Sequence, residues 1–363
     1  MKITECKTHV LHLPLARPFC AGPSDRPFAA VSPVVVRLRT DNGLEGLGYA
    51  FVVNGQHLRS LHAAVTDVAD LVLGEDPLRT QHLWQKMWAE TGHLGHQGVG
   101  LYAIAAVDTA IWDIAARYYE VPLYRLLGGC RDSVPMYASG WLWRTWTIDE
   151  LQRDAADLVR QGFKAVKARV GPGKADEAVA RVRAVREAIG PDVQLMVDVN
   201  WCWTVSEAIA IGRRLEEQDI YWLEDPLASD TPEQLAQVAA ALAVPLCAGE
   251  THNHKFGFRR LFECGAVDIA MIDLQRVGGI TEWLRVAALA QAWHLPVVSH
   301  LFWHIDVHLL AAVPNALIGE YMPWFDDMFR EAPRVVDGCV DLPQRPGLGL
   351  ELDEKALQRF AVT

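Results

Sequence analysis

The sequence predicts an α/β protein: a (β/α) barrel preceded by a smaller α+β domain. Three observations predict it. Seven short apolar runs, FKAVKARV, LMVDVN, YWLEDP, PLCAGE, IAMIDL, LPVVSHL and NALIGE, follow one another between residues 163 and 320. Each is rich in Val, Ile and Leu, as a strand buried on both faces must be. Most carry polar groups at or near their C-terminal ends: Lys167 and Arg169, Asp198 and Asn200, Glu224, Glu250, Asp273, His300 and Glu320. Glu224 lies 26 positions after Asp198, and Glu250 another 26 after Glu224. That interval fits one strand, one helix and two loops. Helical patterns fill the intervals, and polar groups at successive strand ends form the active face of such a barrel.

Residues 2–53 read as strands, and 34–39 and 46–53 flank Asp41-Asn42-Gly43, a strong hairpin signal. Residues 17–33, rich in Pro, Gly, Ser and Asp, read as a mobile loop. Helical periodicity follows at 56–73, 79–90 and 99–120, the last with a broad apolar stripe. The barrel begins with the strand 134–139. Helical patterns then fall at 149–161, 174–189, 205–217, 232–241, 255–263, 279–293 and 304–312. Thr147, Thr204 and Thr231 stand where helix N-caps belong. Eight strands with seven helices between them are expected, then an irregular tail that returns to the N-terminal segment. The expected domains are 1–130, 131–320 and the tail 321–363.

A chain of 363 residues exceeds one ordinary domain, and its net charge of −11 provides no basic footprint for nucleic acid or anionic membrane. The seven cysteines form no CxxC and no metal spacing, so scattered thiols in a reducing compartment are expected. The N-terminus lacks a signal-peptide apolar core, and no uninterrupted 18-residue apolar run occurs. A cytoplasmic protein with a small carboxylate substrate, assembled as a homo-oligomer, is expected.

Asp198, Glu224 and Glu250 fall on three adjacent strands and are expected to converge at the barrel mouth. Carboxylates that close repel one another unless a hard cation neutralises them, and an all-oxygen set favours Mg2+ over Zn2+. Singly, each reads equally well as a helix cap or a surface acid. Asn200, on the same face as Asp198, is a candidate to orient a ligand. Asp273 and His300 end neighbouring strands, so the carboxylate can fix the ring tautomer of a general base. Glu320 faces them from the last strand and can donate a hydrogen bond if protonated. Lys167 and Arg169 share one face of their strand because its period is two. Arg169 stays charged and cannot be a base; Lys167 is either a substrate clamp or a base with a depressed pKa.

In order, these residues resemble the enolase superfamily, in particular its mandelate racemase subgroup. The resemblance covers nearly the whole chain and is most specific in the run DLQRVGGITEWLR from Asp273 to Arg285, and in Ser299-His-Leu-Phe302 with His308. It implies a modified TIM barrel with an N-terminal cap and a Mg2+ ion held by Asp198, Glu224 and Glu250. It also implies a His300–Asp273 base dyad, with Glu320 and Lys167 at the substrate carboxylate. The chain departs from the racemase itself at Arg169, where that enzyme carries a second lysine as the base for the opposite face. The resemblance therefore implies dehydration of a sugar acid to a 2-keto-3-deoxy acid, with His300 serving first as base and then as acid. Racemisation or epimerisation of a 2-hydroxy acid is the alternative if Lys167 is a second base. A sugar-acid-binding barrel without turnover is a remote one.

For the substrate pocket, residues 17–33 and 51–56 are expected to act as lids. Arg17, Ser24, Asp25 and Arg26 offer hydrogen bonds to a polyol, whereas Phe19 and Phe28 suit a ring. Trp141, Trp143 and Trp146 are candidates for the pocket wall, with burial in the core the equal alternative. His93, His96, His252 and His254 are weaker candidates.

Overall fold

The structure, a computed structural model, describes residues 1–228 and 231–362. The N-terminal part contains strands β1 (Ile3–Val10), β2 (Leu13–Phe19), β3 (Phe28–Thr40) and β4 (Glu45–Val53), then helices α1 (Leu58–Asp70), α2 (Thr80–Glu90), α3 (Val99–Tyr118) and the short α4 (Leu123–Leu126). Long β3 is the spine of this sheet. β4 runs antiparallel along one edge through the expected hairpin, with Arg39 opposite Glu45, while β1 and then β2 occupy the other edge.

The expected loop over 17–33 is shorter than its composition suggested. β2 continues through Phe19 and β3 starts at Phe28, leaving residues 20–27 as the connection. β2 is a short edge strand with exposed Pro14, Arg17 and Pro18, so its strand character is hidden under polar and proline residues that an edge tolerates.

The second part alternates strands and helices: β5 (Ser133–Ala138), α5 (Ile148–Arg160), β6 (Ala165–Arg169), α6 (Ala175–Ile189), β7 (Gln194–Asp198), α7 (Val205–Glu216), β8 (Trp222–Glu224) and α8 (Pro232–Ala241). It continues with β9 (Leu246–Ala248), α9 (His254–Glu263), β10 (Ile269–Asp273), α10 (Leu274–Val277), α11 (Ile280–Ala292), β11 (Val297–His300), α12 (Trp303–Ala312) and β12 (Gly319–Tyr321). Thr147 and Thr204 each close a capping box, with Glu150 and Glu207, at the starts of α5 and α7. Strands β5 to β11 pair in parallel sequence, and β12 pairs with β5 to close the ring. Across the β11–β12 seam, Val297 bridges Ala316 and the Glu320 amide donates to Ser299 Oγ (3.0 Å).

Strand alternation sorts this sheet into two packings. Val166, Ala168, Leu195, Val197, Leu223, Ala270 and Ile272 belong to the large core shared with the helices. Tyr137, Ala165, Met196, Trp222, Cys247, Met271, Val298 and Ile318 form a separate apolar plug inside the barrel. Two residues beyond the plug on the same face come Lys167, Asp198, Glu224, Asp273, His300 and Glu320. The polar site therefore rests on an apolar floor.

The two parts meet along α3. Its 20 residues are apolar enough to cross a bilayer, yet 83% of the relevant window is buried inside the protein. Asp108 of α3 accepts from the Thr281 amide and hydroxyl (2.8 Å each), and Trp84 Nε1 donates to the Gly278 carbonyl (2.8 Å). Gly279 has φ +99, and a Cβ there would lie 2.6 Å from Asp108 Oδ2, so the helix approaches only because the motif ends in glycine.

The tail adds β13 (Val335–Val336), β14 (Cys339–Asp341) and α13 (Glu354–Phe360). β14 pairs antiparallel with β5, the Leu123 amide donates to Gly347 O (2.8 Å) and the Gly347 amide to Val121 O (3.0 Å) beside α4, and the Val362 amide donates to Val10 O (2.9 Å). Asp113, fully buried on α3, accepts from the amides of Leu47 (2.9 Å) and Leu348 (2.8 Å).

Candidate active site

Parallel register brings the strand-end side chains together. Arg169 lies opposite Asp198, Asp198 opposite Glu224, and Asp273 opposite His300. Glu250 falls outside the alternation, because Cys247 is the inward residue of β9. Gly249 restores it: its φ of +131 turns the chain, and a Cβ there would meet Met271 O at 2.6 Å.

The three carboxylates are buried, yet among the described residues they do not close into one ligand cluster. Each has a nearer basic or polar partner. Lys167 Nζ contacts Glu224 Oε1, lies 2.9 Å from Glu320 Oε1 and 3.6 Å from Asp198 Oδ2. Glu250 Oε2 is 3.0 Å from His300 Nε2, and Trp222 Nε1 donates to Glu224 Oε2 (2.9 Å). Even so, with every acid ionised the site would hold more negative charge than it neutralises, and burial with mutual repulsion pushes Glu224 and Asp225 toward their neutral forms. Asp198, Glu224, Asp225, Glu250, Asp273 and Glu320 are buried beside Lys167, Arg169, Arg276 and His300. Burial first, then repulsion from Asp198, Glu320 and Glu250, push Glu224 up to about 8 against the pull of Lys167. A buried, hard, all-oxygen set with surplus negative charge fits a divalent cation such as Mg2+.

His300 Nδ1 is 2.6 Å from Asp273 Oδ2, while its Nε2 faces the cavity beside Glu250. Burial lowers the ring's pKa, but Glu250 and Asp273 outweigh it and hold it well above the ordinary histidine value. Asp273 is itself fixed by the Arg276 amide (2.8 Å).

Arg169 is locked. Nη1 donates to Ser139 O (2.5 Å), Nη2 to Ser139 Oγ (2.7 Å), and the guanidinium stacks 3.7 Å over Trp143. Glu320 corrects the expectation of a protonated donor. It accepts from Ser139 Oγ (2.6 Å) and the Leu301 amide (2.7 Å). Burial raises its pKa, but Lys167, His300 and Arg169 bring it down to about 2. Fully buried and outside the cavity lining, it sits behind Lys167. Burial would likewise lower Lys167, but Glu224, Glu320 and Asp198 hold its pKa above the ordinary lysine value, against a base with a depressed pKa.

A cavity of about 320 Å³ opens above these groups, lined from the barrel by Lys167, Arg169, Asp198, Asn200, Glu250 and His300. Asn200 donates Nδ2 to Asp198 Oδ2 (2.9 Å), and its own Oδ1 is buried without a partner. Arg17 and Trp141 do not line the cavity. Arg17 pairs with Glu150 (2.5 Å) and Asp154 (3.3 Å) of α5 and lies over Trp146. Trp141 stacks on Tyr321, ring centroids 6.1 Å apart, and only its carbonyl reaches Arg169. Trp143 and Phe28 do line the cavity; His93, His96, His252 and His254 do not.

Sequence reasoning missed Tyr102, Trp201, Gln275, Arg276, Met322 and Trp324, all in the lining. Gln275 and Arg276 were within reach, since they lie two and three residues after Asp273 in the most specific motif. Gln275 Oε1 accepts from the Phe51 amide (3.0 Å), and Arg276 Nη1 donates to the Glu250 carbonyl (2.8 Å). Tyr102 and Trp324 come from α3 and from the turn after β12, where no strand pattern marks them.

A closed barrel with acidic and basic strand ends under a cap defines an enolase-type protein. Residues 150–356 match the family described as enolase C-terminal domain-like, and 18–128 match the mandelate racemase/muconate lactonizing enzyme N-terminal domain. The chain belongs to the mandelate racemase branch of the enolase superfamily. It is 34% identical to a 3,6-anhydro-alpha-L-galactonate cycloisomerase of Streptomyces coelicolor, over 91% of both chains. It is 31% identical to an L-talarate/galactarate dehydratase of Salmonella typhimurium, over 98% of this chain and 90% of that one. A racemase from Streptomyces coelicolor A3(2), solved with bound magnesium, superposes with TM-score 0.94 at 32% identity, covering 99% of this chain and 100% of that one.

Proposed function

We propose that this protein is a Mg2+-dependent acid-sugar dehydratase that removes the proton α to a carboxylate and expels the 3-hydroxyl. The observation that carries the reading is the 2.6 Å His300–Asp273 pair facing a cavity whose other strand-end cations are already engaged. Relatives named as dehydratase and cycloisomerase of sugar acids, and a magnesium-bound neighbour, support it.

Asp198, Glu224 and Glu250 would hold the Mg2+, which supplies a Lewis acid for the substrate carboxylate and the charge that develops there. With Glu250 committed to the cation and no longer holding the proton on Nε2, Asp273 orients the ring so that His300 Nε2 would take the C2 proton, leaving an enediolate. The C3–O bond then breaks as the same imidazolium returns its proton to the departing hydroxyl, releasing water. The enol tautomerises to the 2-keto-3-deoxy acid. Lys167, kept protonated by three carboxylates, donates to the enediolate oxygens, and Glu320 positions Lys167. The orphaned Asn200 Oδ1 accepts from a substrate hydroxyl. We assign the cap to residues 1–130, the barrel to 131–320 and the tail to 321–363.

With one base, abstraction is confined to one configuration at C2. Incubation with a sugar-acid panel and Mg2+ in D2O should yield 2-keto acids from one C2 epimer only. His300→Asn should lower this by at least ~10²-fold, the usual scale of a general base. Rapid interconversion of both epimers by the unmodified protein would instead make Lys167 a second base and the protein a racemase.

A further inference from the structure

The cavity is divided by chemistry. The barrel supplies its charged groups. Among the described residues, the cap supplies Ala21, Phe28, Phe51, Val52 and Val53, with Gln56, His57 and Tyr102 as its only polar contributions and no lysine, arginine, aspartate or glutamate.

Two tryptophans from the loops after β5 and β12 extend the apolar part. Trp143 stacks on Phe19, ring centroids 3.5 Å apart with planes 13° apart. Trp324 lies within 20° of the Phe19 plane and 18° of the Trp143 plane. The Arg169 guanidinium, 3.7 Å over Trp143, pins that ring from the barrel side. Trp143, only 3% exposed, is covered by Phe19 and Arg169, so the flat face left to a ligand is that of the partly exposed Trp324, held near-parallel before any ligand arrives.

Resting on the dehydratase reading above, we infer that the substrate is a 2,3-dihydroxy monocarboxylate whose chain beyond C3 is closed into a ring. Its carboxylate and C2 occupy the charged end. The ring lays its C–H face on Trp324, keeping its polar edge away from the apolar cap. An open-chain dicarboxylate would bring its second charge against a wall that Arg26 reaches only through Gln56, and an extended polyol would strip water from hydroxyls without fully replacing it. A flat C–H face loses nothing comparable and gains contact with the aromatic plane.

The test compares 2,3-dihydroxy-3-(tetrahydropyran-2-yl)propanoate with open-chain gluconate and glucarate, each with Mg2+. Product formation and C2 exchange are followed by NMR, and binding by calorimetry. The ring acid should exceed both open-chain acids in kcat/KM by about tenfold or more, the scale of a well-filled apolar subsite. Trp324→Ala should bring that ratio toward one, and Trp324→Phe, which keeps a flat face, should retain most of it. Preference for glucarate or gluconate in the unmodified protein, or an unchanged ratio in Trp324→Ala, overturns the inference. Absence of turnover with every acid sinks the dehydratase reading instead. The calorimetric ranking then decides: tighter binding of the ring acid sustains the inference, and equal or weaker binding overturns it.

Discussion

Lys167 and Arg169 stand two residues apart on one buried strand, and neither is free to act as a base. Lys167 is surrounded by Glu224, Glu320 and Asp198; Arg169 is held by Ser139 and stacked on Trp143. Arg169→Lys keeps the charge but loses the fork that serves both Ser139 oxygens. The buried acceptors left behind should lower stability by about 1–3 kcal/mol, read as a shifted denaturation midpoint. Glu224→Gln tests the cation site. It should weaken Mg2+ binding more than ~100-fold by calorimetry while far-UV circular dichroism stays unchanged. Undiminished affinity would remove Glu224 from the ligand set. The strand-end residues were legible in the sequence because period two and a repeated interval both pointed at them. Arg17 and Trp141 were misassigned because residue type alone does not show which partner is nearest. For Arg17 the partners are two acids of α5, a contact no local pattern encodes.

At the scale of elements, α12 shows how a motif residue can belong to the framework. His308 accepts from the Tyr124 amide through Nδ1 (3.2 Å) and donates through Nε2 to Leu348 O (3.1 Å), tying α12 to α4 and the tail. Both nitrogens are used by the neutral ring, and burial brings its pKa down to about 4, partly opposed by the Leu348 bond. Between that value and the unfolded histidine value of about 6.5, the unfolded chain binds one more proton than the folded one. Stability from this residue is thus complete above about 6.5 and is lost as pH falls toward 4, at ~1.4 kcal/mol per unit. Denaturation series over that range should show the slope, and His308→Gln should flatten it. An unchanged slope in the variant would assign it to other groups. The barrel strands and most helices were readable because long apolar periodicity dominates them. β2 was not, because an exposed edge strand carries prolines and charge where a buried one cannot.

For the whole molecule, the question is whether cap and barrel are separable. Asp108 binds Thr281, Trp84 binds Gly278, and Phe51 binds Gln275, so three cap elements reach the stretch that runs from the end of β10 into the first turn of α11. The tail adds Val362 on Val10 and Leu348 on Asp113. With so many buried bonds across the junction, the chain should unfold in one calorimetric transition whose van't Hoff and calorimetric enthalpies agree. Two resolved transitions would show that the junction is weaker than its bonds suggest.

The Gln275–Phe51 bond has a consequence for descent. It joins the last cap strand to the second residue after Asp273, so the wall that meets the substrate and the partner of the base are held through one amide. A lineage that exchanges its cap for one shaped to another acid must keep a backbone N–H at this point, or replace Gln275 in the same event. Every residue but proline carries that N–H, so the side chain at position 51 is free to change, and only a proline there or a shift of the β4 backbone breaks the bond. A chimera with a foreign cap should therefore keep this bond wherever the last cap strand sets a non-proline amide opposite Gln275.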